Sequence, residues 1–431
     1  MRLLIIGGGP GGYETAVEAA KRGLEVTLIN EGPLGGTCLN EGCIPTKTFC
    51  HYAELIEQNN KAGLDCKPSF ASAAQRKQAV VEQLHGGIDM LLKNVQVVRG
   101  KAKFKDTKTV VCEGQEYTAD RIIIATGSVS ASLPIPGAEN CLTSKEILDL
   151  TEVPESVCII GGGVIGLEFA SILSSFGSQV TVLEYCPNIL PRFDVDLAKR
   201  LKQSLSKRGI GIEVQAQVTR IDDNTVTYLK KDKEFTVQAN MVLMAVGRRP
   251  NVESLNLEAA GIDYTRKGIT VNDSFETSVP GIYAVGDVIG GIMLAHAATY
   301  QGLHALNVIC GRQDSIRFDL IPAAVFTIPE VATIGLTEEQ CKEQNLQLRC
   351  LKSFYRANGK AVSMDETDGY CKLIVSENGV ILGAHLMGAH ASDLIHEIAA
   401  VMNINGTLEQ LRYVIHAHPT LSEVLQAAIH N

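Results

Sequence analysis

One pattern occurs twice in this chain. Residues Leu3 to Glu14 read as a short apolar run, a G-x-G-x-x-G motif on Gly7, Gly9 and Gly12, and the start of an apolar-periodic stretch. Residues Val157 to Glu168 repeat it with Gly161, Gly163 and Gly166. In each copy the spacing predicts a buried strand, a tight turn and a helix. The glycines allow the turn, close approach of backbone to a pyrophosphate, and close helix–strand packing. The helix N-terminus then presents unpaired N–H groups to an anion. Each copy is followed by a second apolar run read as a strand ending in an acid, Glu25 to Glu31 in the first and Gln179 to Glu184 in the second. A carboxylate placed there can accept a ribose hydroxyl. The echo continues in Ile122 to Gly127 and Val242 to Gly247, two apolar runs that stop at glycine. The expected fold class is therefore α/β, with two Rossmann-like dinucleotide-binding domains, one inserted in the other. Ile282 to Asp287 reads as a strand returning to the first. From about residue 321 the glycine fingerprint is gone. Ala323 to Val331 and Gly369 to Val375 read as strands, and Asp393 to Met402 and Leu421 to Ile429 as helices, which predicts a C-terminal α+β domain. The expected divisions are 1–145 with 280–320, 146–279, and 321–431.

The chain has 431 residues and a net charge of −9, with no long run of one sign. Nothing in this advertises the basic face that nucleic-acid binding requires. No apolar stretch reaches the roughly 18 residues of a membrane-spanning helix. The opening Met1-Arg2-Leu3-Leu4-Ile5-Ile6 enters Gly7 directly, so it reads as a buried strand and not as a signal segment. A cytoplasmic location is the expectation. Twelve cysteines in this length do not make a disulfide scaffold. Cys50, Cys66, Cys112, Cys141, Cys158, Cys186, Cys310, Cys341, Cys350 and Cys371 read as small buried apolar residues. No metal-ligand set is assigned.

Cys38 and Cys43 are different. They stand in Gly35-Gly36-Thr37-Cys38-Leu39-Asn40-Glu41-Gly42-Cys43-Ile44-Pro45-Thr46-Lys47. On an ideal helix two residues five apart have Cα atoms about 8.6 Å apart. A disulfide needs less than about 7 Å. If the two pair, the segment between them must bend, which Asn40 and Gly42 permit. Near the C-terminus stands the run Ile415-His416-Ala417-His418-Pro419-Thr420-Leu421-Ser422-Glu423.

G-G-T-C-x4-G-C-I-P-x-K after an N-terminal dinucleotide fingerprint resembles the pyridine nucleotide–disulfide oxidoreductases, and the likeness spans essentially the whole chain. The resemblance implies FAD at the first fingerprint and NAD at the second, making 1–145 with 280–320 the FAD-binding domain, 146–279 the NAD-binding domain and 321–431 the dimerisation domain. It implies a redox-active Cys38–Cys43 disulfide, with Cys38 the thiol that meets substrate and Cys43 the one that faces the flavin. Lys47, paired with Glu168, is expected beside the flavin. FAD contacts are expected from Gly7, Gly9, Gly12, Glu31, Gly36, Thr37, Lys47, Ala102, Thr126, Gly127, Asp287 and Ala295. Those to NAD are expected from Gly161, Gly163, Gly166, Glu184, Ala245, Gly247 and Arg248. Glu184 favours NAD over NADP because a carboxylate repels a 2′-phosphate. Arg192 is the cation close by in sequence that keeps NADP open.

The resemblance makes His418 and Glu423 an acid–base pair supplied across a homodimer interface. His416 lies outside the matched motif, and His296 reads as structural. Leu39, Ile44-Pro45, Glu184 and the His-Ala-His-Pro-Thr run point to the branch that oxidises protein-bound dihydrolipoamide to lipoamide and reduces NAD+. That would make lipoyl domains of 2-oxoacid dehydrogenase or glycine cleavage complexes the partners, and cell redox homeostasis the setting. The alternatives are an NADH-dependent reductase of another small disulfide, a diaphorase-like electron carrier to quinones or metals, or a non-catalytic flavin-binding subunit. Against the family pattern the chain is shortened around Gly32 to Gly35 and between Thr48 and Gly100. Glu41 and Thr46 stand where Val and Ser are usual.

Overall fold

The computed structural model of the protein describes residues 1–65 and 67–431; Cys66 lies outside the described residues. Strand Arg2–Ile6 is the centre of a parallel five-stranded sheet in the order Ile282–Ala284, Arg121–Ile124, Arg2–Ile6, Glu25–Asn30, Gln96–Arg99. A parallel sheet covered on both faces needs strands that are apolar throughout. Leu3 to Ile6 and Ile122 to Ile124 are all buried. Burying each such side chain contributes roughly 1.5–3 kcal/mol. Helix Pro10–Lys21 follows the first strand. Pro10 occupies its first turn, where a missing N–H costs nothing, and Gly23, with φ +81°, follows its C-terminal end. This helix packs closely on helix Ala295–Ile309. A Cβ on Gly302 would lie 2.0 Å from Thr15 Oγ1, so only glycine fits there.

These elements belong to the first of two units, formed by Met1–Thr48, Ala74–Ala131 and Gly247–Ile316. It also holds an antiparallel sheet of Ala102–Phe104, Thr109–Cys112 and Gln115–Thr118, and a two-stranded ribbon of Ser128–Ser130 with Arg248–Pro250.

The second unit comprises Phe49–Ala73, Ser132–Val246 and Arg317–Asn431. Its parallel sheet runs Gly211–Val214, Gln179–Glu184, Ser156–Ile160, Met241–Met244, with helix Val164–Ser175 after the Gly161 turn. An antiparallel sheet runs Ala323–Val325, Val331–Gly335, Ile381–Met387, Tyr370–Ser376, Leu348–Phe354. Helices Ala391–Asn403 and Glu423–His430 share one apolar core with it. The two dinucleotide-type sheets and the C-terminal α+β layer are those the sequence predicts. One element differs. The single strand expected over 323–331 is two strands, Ala323–Val325 and Val331–Gly335, paired antiparallel. Pro329 lies in the turn between them and has no N–H for a ladder.

Charge is buried inside this unit. Lys372 and Asp194 are both fully buried, with Lys372 Nζ 2.8 Å from Asp194 Oδ2, 2.7 Å from Glu338 Oε2 and 3.3 Å from Asp196 Oδ2. Asp194 also caps helix Val195–Lys207 through the Asp196 and Leu197 N–H groups. Among the described residues no helix is long and apolar enough to cross a membrane.

Candidate active site and nucleotide cradles

The two glycine fingerprints have the same local geometry. A Cβ on Gly12 would lie 1.8 Å from Gly7 O, and one on Gly166 2.0 Å from Gly161 O. The third glycine of each motif is therefore fixed by backbone contact. The middle glycine is not. A Cβ on Gly163 would meet nothing within 4 Å, and one on Gly9 would meet only Gly36 Cα at 3.9 Å. Both are extended N-caps of their helices, and neither helix end has a side-chain cap or a first-turn acid. An open space over uncapped N–H groups is what a pyrophosphate needs, so the residues present fit a dinucleotide at each turn.

The ends of the second strands show a feature that motif reading missed. Glu184 is buried, and its carboxylate accepts from Gly162 N–H and Cys186 N–H, each at 2.6 Å. The matching position in the first unit holds Asn30, whose Oδ1 accepts from Gly8 N–H at 2.8 Å. Glu31, expected there as the ribose acid, lies one residue beyond the strand. Its side chain is 66% exposed and stands 3.8 Å from Lys101 Nζ. The signal lay in strand register, since Ile29 pairs with Ile6 as Leu183 pairs with Ile160.

The remaining expected FAD contacts lie in the first unit. Ala102 is buried at the start of its strand, and Thr126 Oγ1 donates to Asn251 O beside Gly127. Asp287, in the short helix Gly286–Ile289, accepts from Ser128 Oγ at 2.5 Å, and Ala295 opens helix Ala295–Ile309, with His296 exposed in its first turn. Arg248, expected with the NAD contacts, also belongs to this unit. It donates to Ser128 Oγ, Ser128 O and Thr37 Oγ1 at 2.7, 2.8 and 3.2 Å. Burial lowers the pKa of its guanidinium, while Asp287 acts the other way. Ala245 follows strand Met241–Met244 at the edge of the second unit's parallel sheet, and Gly247 begins the chain's return to the first unit.

Cys38 is carried by the short helix Gly36–Asn40, and Cys43 opens helix Cys43–Lys61. The helical path breaks at Glu41-Gly42, where the chain bends. Both sulfurs are thiols, and the Cys38 S–H is hydrogen-bonded to Cys43. That bond, then burial, raises the Cys38 thiol far above its ordinary range, and Lys47 acts in the opposite direction. Lys47 follows Cys43 by one turn of the same helix. Glu168 belongs to the second unit, where it is buried and accepts from Phe326 N–H at 2.9 Å. Of the ten cysteines read as buried, Cys112, Cys158, Cys341 and Cys371 are so, while Cys50, Cys141, Cys186, Cys310 and Cys350 are partly exposed. Burial pushes Cys158 up to about 12 and Cys141 to about 11, which keeps them as unreactive thiols.

His418 Nδ1 lies 2.9 Å from Glu423 Oε1, and Glu423 Oε2 accepts from Thr420 N–H at 2.8 Å. The Thr420 N–H, then His418, holds the Glu423 carboxyl below its usual range. A second pair lies nearby in sequence: His416 Nε2 is 2.8 Å from Glu397 Oε1. Exposure separates the two. The His416 side chain is 4% exposed and the His418 side chain 76%. Only the latter leaves its ring open to a substrate.

The family model described as pyridine nucleotide-disulphide oxidoreductase matches residues 1–302, and its dimerisation domain matches residues 321–429. The chain is 40% identical to a dihydrolipoyl dehydrogenase of Bacillus subtilis, over 100% of this chain and 98% of that protein. It is also 40% identical to that of Geobacillus stearothermophilus, over 99% and 94%. Among solved structures it is similar to the HOCl-induced flavoprotein disulfide reductase RclA from Escherichia coli, with TM-score 0.90 and 32% identity over 100% of this chain and 99% of that one. It is similar too to LpdA from Mycobacterium tuberculosis, with TM-score 0.91 and 28% identity over 100% and 99%.

Proposed function

The chain belongs to the pyridine nucleotide-disulphide oxidoreductases, and from that premise we propose that it oxidises protein-bound dihydrolipoamide to lipoamide and reduces NAD+ to NADH, with Cys38 and Cys43 as the redox pair. The enzyme uses FAD and NAD(H), and its dimerisation domain supports a homodimer. In this reading 1–145 with 280–320 hold FAD, 146–279 hold NAD, and 321–431 form the dimer interface. The single observation that carries it is the hydrogen-bonded Cys38–Cys43 pair with Lys47 one turn away.

The chain's own residues then act in order. His418 of the partner subunit, oriented by Glu423 of the partner subunit, accepts the proton of one substrate thiol. The thiolate attacks Cys38 of the oxidised pair, the Cys38–Cys43 bond breaks, and Cys43 leaves as a thiolate. The second substrate thiol attacks the mixed disulfide, lipoamide departs, and Cys38 takes a proton. The hydrogen bond between the two sulfurs keeps the reduced pair in register, and the Lys47 cation favours charge on the dithiol. When bound, FAD supplies the two-electron chemistry that reoxidises this dithiol and reduces NAD+. Gly7, Gly9, Gly12, Gly36, Thr37, Lys47, Ala102, Thr126, Gly127 and Asp287, with Ala295, are the residues proposed to hold FAD. Gly161, Gly163, Gly166, Glu184, Ala245 and Gly247 are those proposed to hold NAD. Lipoyl domains are the proposed partners and the cytoplasm the proposed location, where dithiols stay reduced.

The likeness to RclA supports a second reading, a reductase drawing on NADH for a different disulfide. Initial rates of purified holoenzyme separate the two. Rapid NADH formation from dihydrolipoamide with NAD+ but not NADP+, abolished by Cys38→Ser, supports the first. Negligible turnover by a flavin-loaded dimer refutes it.

A further inference from the structure

The segment between the two cysteines is held from outside itself. Helix Gly36–Asn40, which carries Cys38, has five residues, too few to be stable alone. It is entered through Gly35 and Gly36, with φ +90° and +57°. Asn40, its last residue, closes that turn from the far side. Its Nδ2 donates to Leu34 O at 3.0 Å and to Gly36 O at 2.8 Å. Both amide hydrogens are then used, so Oδ1 faces the other way, where it meets His85 Nε2 at 2.8 Å. His85 stands on helix Phe70–Leu91, in the part that belongs with Asn40 to the first unit, and is half-buried. An imidazole nitrogen facing a carbonyl oxygen can only donate, so the ring carries a proton on Nε2. With that nitrogen as acceptor, Asn40 would have to turn its amide over and set Oδ1 against two backbone carbonyls. Every polar atom of the Asn40 amide therefore has a partner, and the last of them comes from 45 residues away.

We propose that His85 is a positioning residue for the redox pair: through Asn40 it holds the segment that carries Cys38 and Cys43 in the shape in which the two sulfurs meet, and so favours their disulfide. The inference rests on the proposed function's reading of Cys38 and Cys43 as a redox couple. If the segment loosens, the two thiols of the reduced pair can spread apart, whereas the oxidised pair is tied by its own bond. Loosening thus adds conformational freedom to the dithiol alone. A clamp that removes this freedom raises the effective concentration of one thiol toward the other.

The test is an equilibrium measurement on the holoenzyme. The protein is equilibrated without oxygen in dithiothreitol buffers of graded dithiol-to-disulfide ratio, quenched in acid and alkylated. The fraction of the pair present as dithiol is read by peptide mass spectrometry. Each exchange breaks the Cys38–Cys43 bond, closes the ring disulfide of dithiothreitol, and moves two electrons and two protons to the protein. His85→Leu keeps a good helix former and removes the donor. It should move the equilibrium about three- to tenfold toward the dithiol, the worth of one net hydrogen bond; tenfold is about 30 mV for a two-electron couple. His85→Gln returns an N–H donor of similar reach and should restore the wild-type equilibrium. On an Asn40→Ala background, where the bond is already gone, His85→Leu should change nothing further. No shift in His85→Leu, an equal shift in His85→Gln, a shift toward the disulfide, or a full effect of His85→Leu on the Asn40→Ala background overturns the proposal. A wild type in which no Cys38–Cys43 disulfide forms at any ratio refutes the redox-pair reading and this inference with it. A disulfide that forms normally but ignores His85 refutes this inference alone.

Discussion

His418 Nδ1 faces Glu423 Oε1 at 2.9 Å while the ring stays largely exposed, so one nitrogen is fixed and the imidazole remains open to a thiol. The first prediction follows. His418→Gln should lower kcat for dihydrolipoamide by about 10²–10⁴-fold, the usual range for loss of a positioned base. Stopped-flow reduction of the bound flavin by NADH should be unaffected, since that half-reaction needs no substrate thiol. Equal losses in both half-reactions would remove His418 from this role. His416→Gln should instead be read out as lost stability, because its ring is closed off against Glu397.

The middle and last glycines of the first fingerprint should fail in different ways. Gly12→Ala forces a Cβ against Gly7 O and should prevent folding of the first unit. Gly9→Ala meets no atom closer than 3.9 Å, so the chain should fold with unchanged secondary structure by circular dichroism. Its methyl group would occupy the space left for a pyrophosphate. FAD affinity, measured by flavin fluorescence on reconstitution, should fall at least about tenfold. A Gly9→Ala protein that retains flavin normally would contradict the assignment of that space.

Glu184 binds two backbone N–H groups and is proposed to hold a ribose hydroxyl. Loss of a charge-assisted hydrogen bond of that kind should raise the KM for NAD+ about tenfold or more in Glu184→Ala, with kcat changed less. The discrimination against NADP+ should fall in the same variant, and steady-state kinetics with both nucleotides checks this.

Much of this site was legible because its parts are local. The glycine spacing, the bend between Cys38 and Cys43, and the five-residue interval from His418 to Glu423 all sit within short stretches of chain. What escaped depends on distance through space. Asn30 holds the position matching Glu184 because strand Glu25–Asn30 ends one residue before the acid that a search for carboxylates finds. Arg248 reads as part of the second repeat, but ribbon pairing of Arg248–Pro250 with Ser128–Ser130 sets it in the first unit. The partnership of His416 with Glu397 spans 19 residues, and nothing in either segment announces it.

The buried cluster around Lys372 was likewise invisible, since a lone lysine in an apolar strand carries no mark of its partners. Lys372→Met should destabilise the second unit by about 3–5 kcal/mol in chemical denaturation, because Asp194 would be left buried without a cation. Lys342 and Lys372 hold the Glu338 carboxyl down at about 2. A group with a lowered folded pKa stabilises fully above its unfolded value and loses that contribution as pH falls through the folded one. Stability should therefore decline between about pH 4.5 and 2, and Glu338→Gln should flatten that part of the profile.

The most direct test of the dithiol relay is a single turnover without NAD+. Oxidised holoenzyme is mixed anaerobically with dihydrolipoamide and its long-wavelength absorbance followed. The wild type should develop a charge-transfer band from a Cys43 thiolate beside the flavin, and Cys43→Ser should show none. A band that persists in Cys43→Ser, or reduction by dihydrolipoamide at the wild-type rate in Cys38→Ser, would contradict the account.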